Sequence, residues 1–457
     1  MHRRRLAPSS IRWWPLRSHW LFMVGLLVIP WSQAAAIPSF ARQTGFACTA
    51  CHTAFPELTP LGRLFKLNGY VWTKEGPYIP PLAAEIQASF THTGTGQPGG
   101  AAPHFGDNDN AALQQVSLFY GGKILPHLGA FVQGTYDDVE KRLALDNTDV
   151  RFANQGSLGG TPLTYGFTLN NSPTVQDVWN STPAWSFPFA SSPLAPTPAA
   201  STLLEGTFAQ RVGGLGGYVW WNDLVYAEVS GYQNIPKNAQ SALGLDTTDV
   251  TKLSGTAPYW RLALQQNWGP HSVEVGTYGL LAHTFPGSDQ SAGSDYLSDA
   301  AADVQYQYLG VSHRVSFQAT WIHERQQWRA SQPLGLAANA IDTLQSAKAK
   351  VSYLYDSTYG LTLGAFTVYG DPDAGLYHPA PISGSRTGSP DSHGWILEFD
   401  YLPLFTHPLS FWPWLQAKLA VQYVIYSQFN GAAHNYDGFG RHASDNNTLY
   451  LLTWLAF

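Results

Sequence analysis

The chain has 457 residues, of which 14% are aromatic and only 12% charged, and its formal net charge is −6. An acidic balance excludes nucleic acid as a natural partner, and so few charges are unusual for a soluble enzyme. Abundant Gly, Asn, Gln, Ser and Thr beside many aromatics suits a wall that is apolar on one side and polar on the other, with aromatic girdles at its edges.

Residues 1–36 have the pattern of a secretory signal. Arg3, Arg4, Arg5 and Arg17 make a basic front, Leu21 to Ile29 an apolar stretch, and Ala34-Ala35-Ala36 a small-residue cleavage site. The apolar stretch falls well short of the ~20 residues a spanning helix needs. Without this segment the chain loses five of its 25 Lys and Arg and none of its 31 Asp and Glu, which leaves −11.

Both cysteines fall in the pentapeptide Cys48-Thr49-Ala50-Cys51-His52. Two thiols three residues apart can form thioethers with the two vinyl groups of a haem, and the adjacent imidazole can then ligate the iron. A zinc site would need a second ligand pair at short spacing, yet the next histidine is His92. A redox dithiol should follow a buried strand, and Pro38 to Ala47 contains no apolar strand run. The expected cofactor is therefore one covalent haem c, with Cys48 and Cys51 as attachment points and His52 as proximal iron ligand.

Both methionines, Met1 and Met23, lie in the signal segment, so histidine–methionine ligation is not expected. The sixth ligand would be a second histidine, another weak donor or none. The candidate histidines are His92, His104 and His127. Downstream of the motif, Thr59 can cap a two-turn helix with Pro60 in its first position, Leu61, Leu64 and Phe65 on one face and Gly69 as terminator. Arg63 and Lys66 leave its other side, and these two with Arg42 are candidates to pair with haem propionates. Residues 37–83 are too few to enclose a macrocycle in their own core, so this cytochrome segment is expected to plug the mouth of whatever follows.

From residue 84 to 457 the chain alternates with period two in segments bounded by Gly, Pro, Asn and Asp. Leu415, Ala417, Leu419, Val421 and Tyr423 share one face, and Gln416, Lys418 and Gln422 the other. Ala347, Ala349, Val351 and Tyr353 oppose Lys348, Lys350 and Ser352. Trp395, Leu397 and Phe399 oppose Glu398 and Asp400, and Val116, Leu118 and Tyr120 oppose Gln115 and Ser117. Strands are expected near 84–94, 112–122, 127–137, 147–154, 161–171, 207–217, 223–233 and 259–269. A second set follows near 271–283, 299–309, 311–325, 342–355, 358–369, 392–401, 412–428 and 446–457. That makes sixteen, the even number expected of a transmembrane outer-membrane β-barrel, and the terminal aromatic Phe457 agrees with such a chain. The long insertion Ser172 to Gly206 is expected to fold over or into the mouth, with a helical turn at Val175 to Trp179.

The stretch Pro38-Ser39-Phe40-Ala41-Arg42-Gln43-Thr44-Gly45, the pentapeptide, and Pro56-Glu57-Leu58-Thr59-Pro60-Leu61-Gly62-Arg63-Leu64-Phe65-Lys66-Leu67-Asn68-Gly69-Tyr70 resemble the fused outer-membrane cytochrome–porin family. That family includes monohaem c-type outer-membrane cytochromes of iron(II)-oxidising bacteria. The resemblance is dense over 37–73 and one of pattern over the barrel. It implies a monohaem segment lodged in a 16-stranded barrel in the lipid of the bacterial outer membrane. It also implies an Fe(II)-oxidising activity, with extracellular Fe(II) as donor and a periplasmic electron carrier as acceptor. Related fused cytochromes occur in organisms not known to live on iron, so two alternatives stand. One is an electron conduit for another donor or acceptor; the other is a porin or receptor whose haem is structural or sensory. Asp137, Glu274, Glu398 and Asp400 are lumen or rim carboxylates that can attract a ferrous cation or simply line a pore.

Overall fold

The computed structural model describes residues 38–54, 56–76, 79–182, 186–245, 247, 251–412 and 414–457. The signal segment expected over 1–36 lies outside the described residues.

Three helices open the described chain: α1 (Pro38–Thr44), α2 (Cys48–Cys51) and α3 (Pro60–Leu67). One antiparallel sheet follows. Its strands are β1 (Leu82–Thr93), β2 (Asn110–Leu125), β3 (Leu128–Asp137), β4 (Arg142–Leu158), β5 (Thr161–Asn170), β6 (Val212–Trp221), β7 (Val225–Asn234), β8 (Lys252–Leu253) and β9 (Ala257–Trp268). The remainder are β10 (His271–Phe285), β11 (Asp295–Leu309), β12 (His313–Gln327), β13 (Ile341–Tyr355), β14 (Tyr359–Gly370), β15 (Ser392–Tyr401), β16 (Gln416–Gln428) and β17 (Thr448–Ala456). β8 is a two-residue ribbon beside the end of β10, and β7 pairs directly with β9, so the other sixteen strands make the wall. β1 pairs with both β2 and β17, and Ala84 and Phe457 exchange backbone hydrogen bonds, which closes the barrel and removes every free edge.

All sixteen expected strands are present. The largest displacement is β6, expected at 207–217 and found at Val212–Trp221. Its glycines resemble a turn in sequence, but a Cβ on Gly214 would lie 2.1 Å from the Tyr232 ring, so glycine here admits a lumen aromatic.

The alternation decides which side faces what. Leu118 is 69% exposed and Leu397 50% exposed, whereas their neighbours Ser117 and Glu398 are buried. Leaving each such leucine in water would forgo about 1.5–3 kcal/mol of burial, so the apolar face belongs in lipid and the polar face in the lumen. At the short-turn end Trp268, Tyr355 and Tyr359 lie exposed on the outer wall, and Tyr359 stacks on Tyr401 at 5.4 Å, forming an interfacial girdle. A closed barrel with an apolar belt leaves no unpaired backbone for lipid to meet. The protein is a bacterial outer-membrane β-barrel.

Connections such as 126–127, 159–160, 269–270 and 310–312 are tight, while 94–109, 171–211, 235–256, 371–391 and 429–447 at the opposite end are long. By the usual asymmetry of such barrels the tight end is periplasmic. The described parts of the 171–211 loop fold into the lumen, as expected of the insertion, although Val175 to Trp179 forms a turn and a bend rather than the expected helical turn. Val178 and Trp179 are buried, and Trp179 Nε1 donates to Gln265 on β9 at 3.0 Å.

Candidate functional site

The three helices lie inside the barrel at its periplasmic end. Gln43 on α1 donates from Nε2 to the carbonyls of Tyr70 and Trp72, at 2.7 and 2.8 Å, and its Oε1 accepts from Lys123 N at the end of β2 at 2.8 Å. α2 is a single turn: His52 N donates to Cys48 O at 2.8 Å, which brings the two cysteines and the histidine to one place. α3 begins as its sequence requires, with Pro60 in its first turn and Thr59 Oγ1 accepting from Gly62 N at 3.3 Å. The same hydroxyl donates to Ala50 O at 2.6 Å and so joins α3 to α2. Gly69, at φ +71°, ends the helix in the left-handed region.

Gly62 permits the close contact of these two helices. A Cβ there would lie 2.3 Å from the Cys51 carbonyl oxygen. The tether between them is set by Glu57, whose carboxylate accepts from Thr53 Oγ1 at 2.8 Å, Gln307 Nε2 at 2.9 Å and Ser316 Oγ, with Lys350 Nζ at 3.6 Å. Burial works to raise this carboxyl, but Lys350 and the three donors outweigh it and hold it below the ordinary carboxylate range. Arg314 on β12 donates to the carbonyls of Thr49 and His52, at 2.8 and 3.3 Å.

Cys48, Cys51 and His52 line one cavity with Phe40, Phe65, Phe119, Phe131 and Trp454, a space of about 1030 Å³ including its part open to solvent. Phe40 meets Phe65 edge-on at 5.1 Å and stacks on Tyr70 at 5.4 Å, so the wall is rigid as well as apolar. The cysteines are free rather than joined, and Cys48 packs against Leu402 and Phe405. Burial pushes the Cys51 thiol up to about 11 and Cys48 higher still, the reverse of an activated redox dithiol. His52 is enclosed by protein yet keeps surface towards the cavity. Burial lowers its imidazole to about 4, against the opposing effect of backbone hydrogen bonds to Glu57 and Pro56, so at neutral pH the ring is uncharged and able to ligate iron. Among the described residues no three His, Cys, Asp or Glu side chains cluster to hold a bare metal ion.

The other expected site residues fare differently. Lys66 lines the cavity, but its Nζ donates to the carbonyls of Val175 and Asp177, at 2.6 and 3.1 Å, on the inward loop. Arg63 points away from the cavity into the wall, donating to Gln305, Ser272 and Gln307 at 2.6–3.1 Å. The lumen surrounds α3, so the side that carries Arg63 and Lys66 packs on the wall and the inward loop. Arg42 reaches the Leu82 carbonyl and lies 5.5 Å over the Trp414 ring, outside the cavity lining.

None of His92, His104 and His127 lines the cavity. His92 is exposed near the long-loop end of β1, paired with Asp109 at 2.7 Å, and His104 is exposed in the 94–109 loop. His127 sits in the β2–β3 turn, one residue before the strand expected to carry it, with Nδ1 3.2 Å from the Ala153 carbonyl. His92 and His104 are the nearest in sequence and His127 is expected to have lumen parity, but the barrel carries these residues to its exterior, its far end or its rim.

The inward loop was legible as an insertion, but its contacts were not. Arg261 on β9 meets Glu274 at 3.0 Å, Asp303 at 2.7 Å and Asp177 of the loop at 3.4 Å, and lies 4.8 Å from the Trp179 ring. Glu398 and Asp400 both hold Lys418, at 2.9 and 3.0 Å. Three of the four carboxylates considered for cation attraction are thus occupied by protein cations. Asp137 caps the backbone of Val139 and Glu140 at the rim.

No family model and no curated protein matches the chain. Among solved structures it is similar to OmpF of Salmonella typhi in complex with daunomycin, at 12% identity and TM-score 0.45 over 82% of this chain and 97% of that one. It is also similar to the outer membrane channel DcaP of Acinetobacter baumannii, at 11% and 0.44 over 82% and 96%. An anion-selective porin from Comamonas acidovorans gives 9% and 0.40 over 82% and 98%.

Proposed function

We propose that this barrel holds a covalent c-type haem in the Cys48–Cys51–His52 cavity and passes electrons from extracellular Fe(II) to a periplasmic carrier. The observation that carries this reading is the placement of all three motif residues on one aromatic-lined cavity at the periplasmic end of a membrane-spanning wall. When bound, the haem supplies a one-electron acceptor; each Fe(II) outside loses one electron, and ferric product stays outside.

The residues have separable tasks. Cys48 and Cys51 hold the ring, and His52, kept neutral by burial and oriented by the Pro56 and Glu57 backbone, presents an imidazole to iron. Phe40, Phe65, Phe119 and Phe131 line the cavity and would keep water away from a bound haem. Glu57, Arg63 and Arg314 fasten the segment to the wall, and the 171–211 loop covers it from the extracellular side.

A conduit for a different donor is favoured by one observation, the neutralisation of Glu274, Glu398 and Asp400 by Arg261 and Lys418. Rapid mixing of the purified ferric protein with Fe(II) decides between them. Reduction of the haem band at the growth pH supports iron oxidation. A haem band that dithionite reduces and Fe(II) does not would leave the conduit and remove the iron oxidase. A Cys48→Ser, Cys51→Ser chain that still retains haem through denaturing electrophoresis would remove both.

A further inference from the structure

The cavity lining bears on a question the sequence leaves open, what stands across the ring from His52. We propose that no side chain among the described residues serves as the second axial ligand, and that the iron therefore takes small exogenous ligands of the carbon monoxide, cyanide and imidazole class. The proposal rests on the haem assignment above and extends it.

Among the described residues, His52 is the single histidine on the cavity, and the lining contains no methionine. The strong-field ligands ordinary in c-type centres are therefore missing from its wall. Five other lining side chains carry a donor atom: Thr44, Lys66, Tyr70, Glu85 and Asn180. Four of them are committed elsewhere. Thr44 Oγ1 donates to Phe40 O at 2.8 Å and accepts from Phe46 N. Lys66 has two carbonyl partners on the loop, and Tyr70 donates to Asp149 at 2.6 Å. Glu85 accepts from Gln87 Nε2 at 2.5 Å and from Gln115, and a carboxylate would in any case be a weak-field, displaceable ligand.

Asn180 is the remaining case. Its Oδ1 is buried without a partner, and its backbone, at φ +52°, is pinned by Gln318 donating to its carbonyl at 3.1 Å. Its Nδ2, however, faces the Pro56 carbonyl at 3.4 Å, and that carbonyl belongs to the backbone that orients the His52 ring. A reversed amide would set oxygen against oxygen, so the orientation is fixed by the contact. Asn180 is therefore tied to the backbone that orients His52. What lies elsewhere around the cavity is apolar, with Phe40, Phe65, Phe119 and Phe131 among it, and offers no bond to iron.

The test uses the full-length protein purified in detergent, with covalent haem established by the pyridine haemochrome. The ferric form should show a high-spin signal that converts to low spin on adding imidazole or cyanide. The dithionite-reduced form should bind carbon monoxide, with the corresponding Soret shift, without any slow displacement phase. Lys66→Leu and Glu85→Gln, neither of which brings in a strong-field donor, should leave the resting spin state unchanged. A low-spin resting spectrum in both oxidation states that ignores carbon monoxide overturns the proposal, as does a change of spin state in either variant. Absence of a haemochrome overturns the haem assignment itself and this proposal with it, an outcome distinct from a low-spin haem.

Discussion

Arg63 on α3 and Gln305 on β11 meet at 2.6 Å inside the lumen, 242 residues apart in sequence. With Ser272 and Gln307 beside it, this guanidinium converts a short helical segment into part of the wall. Hydrogen bonds to a charged group contribute about 1.5–3 kcal/mol each, and their acceptors would be left buried. Arg63→Leu should therefore raise amide exchange across residues 46–70 at least tenfold while the strands stay protected. Unchanged exchange in that segment would show that the anchoring lies elsewhere.

Gly62 stands where α2 and α3 touch. A methyl group 2.3 Å from the Cys51 carbonyl cannot be absorbed by a rotamer change, since the obstacle is backbone. Gly62→Ala is expected to abolish covalent haem attachment, read by in-gel haem staining, in a barrel that still shows normal heat-modifiable migration. A fully stained variant would contradict the close approach of the helices.

Lys66 gives the plug a pH signature. Burial, reinforced by Arg151, lowers its amine to about 8 from 10.5. The unfolded chain thus keeps this proton up to about 10.5 and the folded one only to about 8, so the unfolded state binds more protons between those values. The penalty for burying the charge is fully present below pH 8 and is relieved as pH rises towards 10.5. Resistance of the 38–76 segment to limited proteolysis should increase across that window, and Lys66→Met should flatten the profile.

Arg261 holds the inward loop through Asp177 and Trp179. Removing it leaves Asp177, Glu274 and Asp303 as buried carboxylates without their cation, a loss of about 3–5 kcal/mol for a broken buried pair. Arg261→Leu should release the loop and raise single-channel conductance in planar bilayers above that of the parent protein, whose lumen the plug and loop occupy. Equal conductance in the two would mean that the loop does not gate the lumen.

Leu397 and Glu398 are adjacent in sequence and lie on opposite faces of β15. A lysine on the lipid face near the mid-plane costs about 2–4 kcal/mol. Leu397→Lys should reduce the fraction of heat-modifiable barrel recovered on refolding into vesicles, far more than a lysine placed in the exposed 371–391 loop. Equal recovery would argue against lipid at that face.

The difference between what was legible and what was not follows from the range of the interactions. Strand positions, face assignments and the capped helix at Thr59–Gly69 were readable because side-chain parity and capping act over two to four residues. The most displaced strand, β6, failed where glycines serve a partner ring, Tyr232, eighteen residues on. The pairing of Glu57 with Lys350, of Arg63 with Gln305 and of Asp177 with Arg261 joins residues dozens to hundreds of positions apart. No local pattern records them.

The sequence alone therefore determined the wall, its sixteen strands, which face meets lipid, and the clustering of Cys48, Cys51 and His52 within one turn. Only the tertiary structure decided that Arg63 braces the plug instead of facing the cavity, that His92, His104 and His127 stand apart from it, and that the 171–211 loop covers it. The reason is closure. A barrel brings its first and last strands together and folds its longest loop inward, so the contents of its lumen depend on contacts that exist only once the ring is complete.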